Sequence, residues 1–206
     1  MINKTEHIES IEENRLLDLY NFIKNFVIKK RYKQEIEWCE NIPQIEEINK
    51  WDFFREYVWV VINSGMKNSV AEKIVNRFWN NGNLNFDAIG HPHKRESIKK
   101  VYNRLDRYFY HLIKSKNRLK YLESLPHIGE ITKYHLARNL GLDYAKPDRH
   151  LVRISSLLKF NNVQKFCGKI SNLSGDKIGL VDLIFWRFAT LNDNYINFIK
   201  DYMEAH

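Results

Sequence analysis

Apolar residues recur at spacings of three and four along almost the whole chain, and this periodicity constrains the fold more than any other feature of the sequence. In the first predicted helix, about residues 11–30, Leu16, Leu19, Ile23 and Val27 form one such stripe. The 206 residues include only 8 glycines and 4 prolines, and no segment shows the clear alternation of a half-buried strand. The sequence therefore predicts an all-α protein.

Glycine, proline and polar clusters divide this helical pattern into segments. A second helix is predicted over residues 51–63, and Ser69 with Glu72 three residues later forms a capping-box signature for the helix that follows. Residues 80–93 are rich in asparagine and glycine and are predicted to be a loop. Further helices are predicted over about residues 94–114, which are strongly basic, and about residues 118–123.

The charge balance favours a polyanionic partner. The chain has 33 lysines and arginines against 25 acidic residues, a net charge of +8 at neutral pH. Cys39 and Cys167 are too few for a disulfide framework, a four-thiolate zinc site or an iron–sulfur cluster. The longest apolar run, residues 57–62, is far shorter than the about 20 residues of a membrane helix, and the N-terminal segment is acidic where a signal peptide is basic. We therefore expect a soluble, cytoplasmic protein.

A short turn that contains a glycine, Leu125 to Gly129, separates two predicted helices. The first amide groups of the second helix then have no partner within the helix, and together with the helix dipole they favour a bound anion. Lys133, one turn further on, can add a positive charge for a phosphate. The turn taken alone is equally typical of an ordinary connection between two helices.

The residues after this turn extend the pattern. The second helix ends near Gly141, where glycine suits a left-handed C-terminal cap. Pro147 restricts the backbone of Lys146 to an extended conformation, and Asp148 is placed to cap the N-terminus of the next helix. The sequence thus predicts a hairpin, one helix, and an aspartate that opens the following helix.

This order of motifs resembles the helix-hairpin-helix superfamily of DNA glycosylases. LPHIG at residues 125–129 is similar to the family's hairpin, and PDRH at residues 147–150 carries an aspartate at the family's spacing. The tail GLVDLIFWRF, residues 179–188, is similar to the family's D-x-x-x-W helix near the C-terminus. The resemblance covers about residues 51–188, and its specific part is the segment from the hairpin to the aspartate.

The resemblance implies an all-α fold of two lobes with the active-site cleft between them. Residues 51–145 would form a helical barrel lobe that contains the helix-hairpin-helix at about residues 118–140. Residues 1–50 and 146–206 would form a second helical lobe from the N-terminal and C-terminal helices.

The resemblance also implies roles for individual residues. Asp148 is expected to be the catalytic carboxylate, which stabilises the oxocarbenium ion that develops on the sugar and orients water. The loop after the helix of residues 51–63 is expected to fill the gap that a flipped base leaves in the duplex. The residues assigned to DNA binding are Pro126, His127, Ile128, Gly129, Thr132, Lys133 and His150. Those assigned to the base pocket or wedge are Met66, Lys67, Asn68 and Tyr134.

Two positions depart from the family pattern. His127 stands where the first hairpin glycine is usual, and histidine tolerates a left-handed backbone better than most residues do. Ile131 stands where bifunctional members have the lysine that forms a Schiff base, and isoleucine cannot be a nucleophile. Lys133 is rotated from that position by about 200° around the helix, so it cannot replace the lysine from the same face. The enzyme is therefore expected to be monofunctional, without AP-lyase activity.

The expected function is the hydrolytic excision of a damaged or modified base in base excision repair. Alkylated purines are favoured because their cationic bases leave with little help from an acid, and because enzymes of the similar branch that act on 8-oxoguanine normally have the lysine. Mispaired adenine, an oxidised base and a modified thymine are the alternative substrates. A non-catalytic helix-hairpin-helix protein that only holds the DNA backbone is the alternative class.

The expected partner is double-stranded DNA. We expect the protein to be a monomer and not to associate with a membrane. The chemistry requires no cofactor, although the resemblance allows a monovalent or divalent cation held by backbone carbonyl groups of the hairpin. His91 and His93 flank a proline in the predicted loop, but no third partner stands at ligand spacing. No metal site is therefore predicted.

Overall fold

The computed structural model of the protein describes residues 4–80 and 83–205, which are predominantly α-helical. The prediction of an all-α protein is therefore confirmed. The chain divides into two units: unit 1 contains the described residues up to Ile42 and from Asp143 onward, and unit 2 is Pro43–Leu142. Among the described residues, no helix is both long enough and apolar enough to cross a lipid bilayer.

Unit 1 is built around the apolar stripe of its first helix. Leu19, Tyr20 and Ile23 are completely buried, and Leu16 and Val27 are nearly so, as their spacing predicts. The stripe packs against a later helix whose side chains are apolar on almost every side. The helices of this unit are α1 (Lys4–Lys29), α2 (Lys33–Glu40), α9 (Arg149–Leu157), α10 (Val163–Ser174), α11 (Ile178–Leu191) and α12 (Tyr195–Ala205).

Unit 2 has its first helix at the centre. Phe53, Tyr57 and Val61 of that helix are completely buried. Asn49 and Asp52 form a reciprocal capping box that fixes its N-terminus. The elements of this unit are α3 (Lys50–Asn63), α4 (Asn68–Phe78), β1 (Trp79–Asn80), β2 (Asn83–Leu84), one 3-10 turn (Phe86–Ala88), α5 (Pro92–Tyr102), α6 (Leu105–Lys114), α7 (Arg118–Glu123) and α8 (Thr132–Asn139).

The division of the chain differs from the predicted one. Boundaries at 50/51 and 145/146 are predicted from the sequence, whereas the structure has them after Ile42 and after Leu142. The segment before α3 lies in unit 2, where Ile45 and Ile48 are buried and Arg118 binds Glu46 across 2.7 Å. Periodicity does not reveal such a boundary, since the segment 43–49 contains no helix.

The two ends of unit 2 meet at Gly141. Its φ of +78° is left-handed, as predicted for the residue that ends the hairpin's second helix. A Cβ at this position would lie 2.0 Å from the carbonyl oxygen of Pro43, so the close approach of the two backbone segments requires glycine.

The prediction of one basic helix over residues 94–114 is wrong, because this segment forms two helices. α5 ends at Tyr102 and α6 begins at Leu105. Val101 and Leu105, four residues apart, are both buried, so the apolar spacing continues across the break and conceals it.

The predicted cap at Ser69 and the predicted loop after α4 are also corrected. α4 begins one residue before Ser69, and Lys67 is its N-cap without a side-chain hydrogen bond, so Ser69 lies inside the first turn. Part of the predicted loop forms the antiparallel pair of β1 and β2, in which Trp79 pairs with Leu84. Asn81 and Gly82 of that loop lie outside the described residues.

Candidate functional site

The hairpin, residues Leu125–Gly129, is fixed to the interior of unit 2. Leu125 and Ile128 are buried, and the amide of Ile128 donates to the carbonyl oxygen of Leu125 at 3.1 Å. The hydroxyl of Tyr57 in α3 donates to the carbonyl oxygen of Pro126 at 2.7 Å. Burial raises the pKa of the Tyr57 hydroxyl, which therefore remains a donor. The turn is thus held by the core and not only by its own backbone.

His127 has the backbone conformation that glycine usually provides. Its φ is +63°, in the left-handed region, and its side chain is exposed. The expectation that histidine is tolerated in this turn is confirmed.

Some of the backbone amides at the start of α8 are available to bind an anion, and others already donate hydrogen bonds. The amide of Gly129 donates to Oγ1 of Thr132 at 2.8 Å, so it is not free for an anion. Lys133 and Tyr134 donate to backbone carbonyls. The amides of Glu130, Ile131 and Thr132 have no acceptor among the described residues.

Lys133 has an acidic partner in its own unit. Its Nζ lies 2.7 Å from a carboxylate oxygen of Glu123 and 5.4 Å from the ring centroid of the half-buried Tyr134. The hydrogen bond with Glu123 raises the pKa of the Lys133 ammonium. The lysine thus stays protonated, and its charge is largely balanced before any phosphate binds.

Three of the five hairpin carbonyls already accept a hydrogen bond. Those of Leu125, Pro126 and Gly129 already accept hydrogen bonds, from Ile128, Tyr57 and Lys133. Within the described hairpin, the carbonyls of His127 and Ile128 accept none, and every carbonyl oxygen keeps a further lone pair. A cation held by these carbonyl groups stays a prediction.

A buried lysine holds the loop that contains the predicted wedge residues. Lys94 is only 5% exposed, and its Nζ donates to the carbonyl oxygens of Ile62 at 2.8 Å and Ser64 at 2.6 Å, at the C-terminus of α3. Burial lowers the pKa of Lys94. The sequence pattern of a basic helix gave no sign of this role. In the loop Met66 is half-buried and Lys67 is exposed, whereas Asn68, also half-buried, is the first residue of α4 and not part of the predicted loop.

In unit 1, Asp148 caps α9, as predicted. Its Oδ1 accepts hydrogen bonds from the amides of His150 at 2.9 Å and Leu151 at 3.1 Å. Its Oδ2 has no donor among the described residues, and the side chain is half-buried. One carboxylate oxygen is therefore fixed by the helix while the other is available for chemistry.

The backbone before Asp148 is held by α11. The amide of Lys146 donates to Oδ2 of Asp182 at 3.1 Å, and Asp143 accepts from the amide of Gly179 at 2.9 Å. Asp182 is 1% exposed, and its neighbours in α11 on both sides are apolar. Asp182 is the aspartate of the D-x-x-x-W segment. An aspartate within an apolar helical run is the sequence signal for such a buried hydrogen-bond acceptor.

His150 is engaged on both ring nitrogens. Nε of Arg149 donates to Nε2 at 3.3 Å, so the ring proton lies on Nδ1, which donates to the hydroxyl of Tyr195 at 3.1 Å. Desolvation is the main cause that lowers the pKa of His150, which favours this neutral form. The imidazole thus packs beside Asp148 as a neutral ring.

A third histidine joins the two that the sequence places around Pro92. The ring of His91 lies 5.9 Å from that of His93 and 6.2 Å from that of His127, measured between centroids. All three rings are exposed. The sequence gives no indication of this contact, because the hairpin is 36 positions after His91 in the chain.

No family model, curated protein or solved structure matches this chain. Two groups of its residues offer binding or catalytic chemistry: the hairpin with the start of α8 in unit 2, and Asp148 with its neighbours in unit 1.

Proposed function

We propose that the protein is a monofunctional DNA glycosylase of the helix-hairpin-helix type with a two-lobe fold. It binds double-stranded DNA, flips out a damaged or modified base and hydrolyses the N-glycosyl bond, with alkylated purines as the favoured substrates. The observation that carries the proposal is the state of Asp148: the two amides of α9 fix its Oδ1, and its Oδ2 has no donor among the described residues.

This carboxylate suits the chemistry of base removal. As the bond between the sugar and the base breaks, positive charge develops on the sugar, and a negative oxygen held nearby lowers the energy of that transition state. The hydrogen bonds to Oδ1 fix the position of the group before substrate binds. Oδ2 then faces the sugar or accepts a proton from the attacking water.

The hairpin supports binding to the DNA backbone. The free amides of Glu130, Ile131 and Thr132 lie at the N-terminus of α8, where the helix dipole favours a negative group. Contacts of this kind fix the register of a protein on DNA without reading its sequence. The net charge of +8 agrees with a polyanionic partner.

The lysines near the hairpin support hydrolysis without a Schiff base. Ile131 is 49% exposed at the start of α8 and carries no amine. Lys133 is paired with Glu123, and Lys94 is buried against two carbonyl oxygens. A free amine is needed to attack the sugar, and neither of these two lysines provides one.

The decisive experiment measures base release from a panel of duplexes. The panel contains 3-methyladenine, 7-methylguanine, 8-oxoguanine, A·G mispairs, uracil and hydroxymethyluracil, and each strand is examined before and after alkali. We expect release of an alkylated purine, strand cleavage only after alkali, and no covalent adduct in borohydride.

The matched variants are Asp148→Asn and Asp193→Asn. The first keeps the acceptor that caps α9 but removes the charge, so it should lose base release and keep DNA binding. Asp193 is exposed in the same unit, and its variant should behave as the wild type. Full activity of Asp148→Asn would overturn the proposal. DNA binding without release of any base would favour the non-catalytic alternative.

A further inference from the structure

Three exposed imidazoles and one buried ammonium meet beside the hairpin. His91 and His93 flank the first residue of α5, Lys94 follows them, and His127 comes from the hairpin. We call His91, His93 and His127 the histidine cluster. Lys94 is nearly inaccessible, whereas the three rings face solvent.

The groups whose charge acts on the His127 imidazole are all basic. Loss of hydration is the main cause that lowers the pKa of His127, and the charges of Lys94, His91 and His93 lower it further. The other charged or titratable groups of the surrounding elements are mostly paired: Tyr57 donates to Pro126, Glu123 binds Lys133, Arg95 pairs with Asp87, and Glu96 pairs with Lys99. Glu130 follows the hairpin as an exposed carboxylate. Positive charge on the cluster therefore repels itself in the absence of a ligand.

The histidine cluster is poorly suited to hold a metal ion. Among the described residues, no group of three histidine, cysteine or acidic side chains is arranged to hold a metal. The positive charge of Lys94 beside His127 also opposes a bound cation. An anion, in contrast, is attracted by the ammonium of Lys94 and by protonated imidazoles.

We propose that the histidine cluster, in its protonated form, binds a backbone phosphate of DNA, so that DNA binding strengthens as the pH falls. The inference rests on the proposed function of the hairpin and adds a pH-dependent contact to it. Each protonated imidazole can donate a charge-assisted hydrogen bond to a phosphate oxygen. The phosphate would offset the repulsion among the rings, so binding takes up protons.

The size of the effect follows from the number of protons taken up. One proton taken up on binding changes the dissociation constant by up to about tenfold per pH unit within the titration range. That range brackets the ordinary histidine pKa of about 6.5, because a bound phosphate favours the protonated imidazoles. We therefore expect at least about fivefold tighter binding near pH 6 than near pH 8.

The test measures the affinity of the full chain for a short undamaged duplex across this pH range at constant ionic strength. The double variant His91→Gln with His93→Gln removes two exposed rings and leaves the hairpin backbone unchanged. His111→Gln, an exposed histidine of α6 in the same unit, is the matched control. The wild type and His111→Gln should show the pH dependence, and the double variant should lose most of it. The same steep profile in the double variant, or a flat profile in the wild type, would overturn the inference.

A second measurement separates this inference from the proposed function. Failure of the wild type to bind duplex DNA at any pH would contradict DNA as the partner. Inorganic phosphate is then titrated while the imidazole C–H signals of the three histidines are followed by NMR. Higher pKa values in phosphate would support the cluster as a phosphate site, and unchanged pKa values would overturn it.

Discussion

The hydroxyl of Tyr57 lies 2.7 Å from the carbonyl oxygen of Pro126, and this hydrogen bond ties the hairpin to the completely buried side chain of a core helix. Tyr57→Phe should lower the free energy of unfolding by about 1 kcal/mol, because the carbonyl of the half-buried Pro126 loses its donor. Affinity for duplex DNA should fall as well. Urea denaturation and a duplex titration measure the two effects, with the exposed Tyr110→Phe as the control. Wild-type values for both in Tyr57→Phe would contradict the role of this bond.

Asp182 should position Asp148 through the backbone of Lys146. Asp182→Ala leaves the amide of Lys146 without this acceptor and should cost about 1–3 kcal/mol of stability. It should also lower kcat for base release more than it raises KM, since the carboxylate is displaced while DNA contacts remain. Asp182→Asn keeps an acceptor oxygen and should retain most of the stability and most of kcat. Equal loss of kcat in the two variants would argue against positioning.

Stability should fall in mild acid because of two histidines. Loss of hydration lowers the pKa of His127 and of His150 in the folded state. Below the unfolded value of about 6.5 the unfolded chain then binds more protons, so stability is lost as the pH falls through 6.5 and the lowered pKa. His127→Asn and His150→Gln should each reduce this loss, measured as urea midpoints, while His111→Gln should not. Unchanged acid sensitivity in both variants would exclude this cause.

If the protein is the proposed glycosylase, a lysine introduced at Ile131 should add lyase activity. Ile131 is 49% exposed, so the longer side chain can be accommodated without displacing the core. Ile131→Lys should form an adduct that borohydride traps, while the wild type forms none. Glu130→Lys is the matched control because it places the same amine at the neighbouring exposed position before α8. Trapping by the control as well would show that the reaction does not depend on this position.

Local features of the site could be predicted from the sequence because they depend on neighbouring residues. The helix cap at Asp148 and the left-handed turn at His127 are set by contacts within a few positions of the chain. The role of Lys94 could not be predicted, since its acceptors Ile62 and Ser64 are about 30 residues away and a lysine in a basic segment indicates a solvated face. The contact between His127 and His91 could not be predicted either, since only the tertiary structure brings these two residues together.

The contact of Gly141 with Pro43 has a consequence for how the chain folds. Because Pro43, the first residue of unit 2, lies against Gly141, its second-last residue, the 100 residues of unit 2 interrupt unit 1 as a short loop would. Once unit 2 has folded, the entropy lost in joining the two halves of unit 1 is that of a few residues rather than a long flexible chain. Substitution of Gly141 by a bulkier residue should therefore slow the assembly of unit 1, although that residue lies outside it.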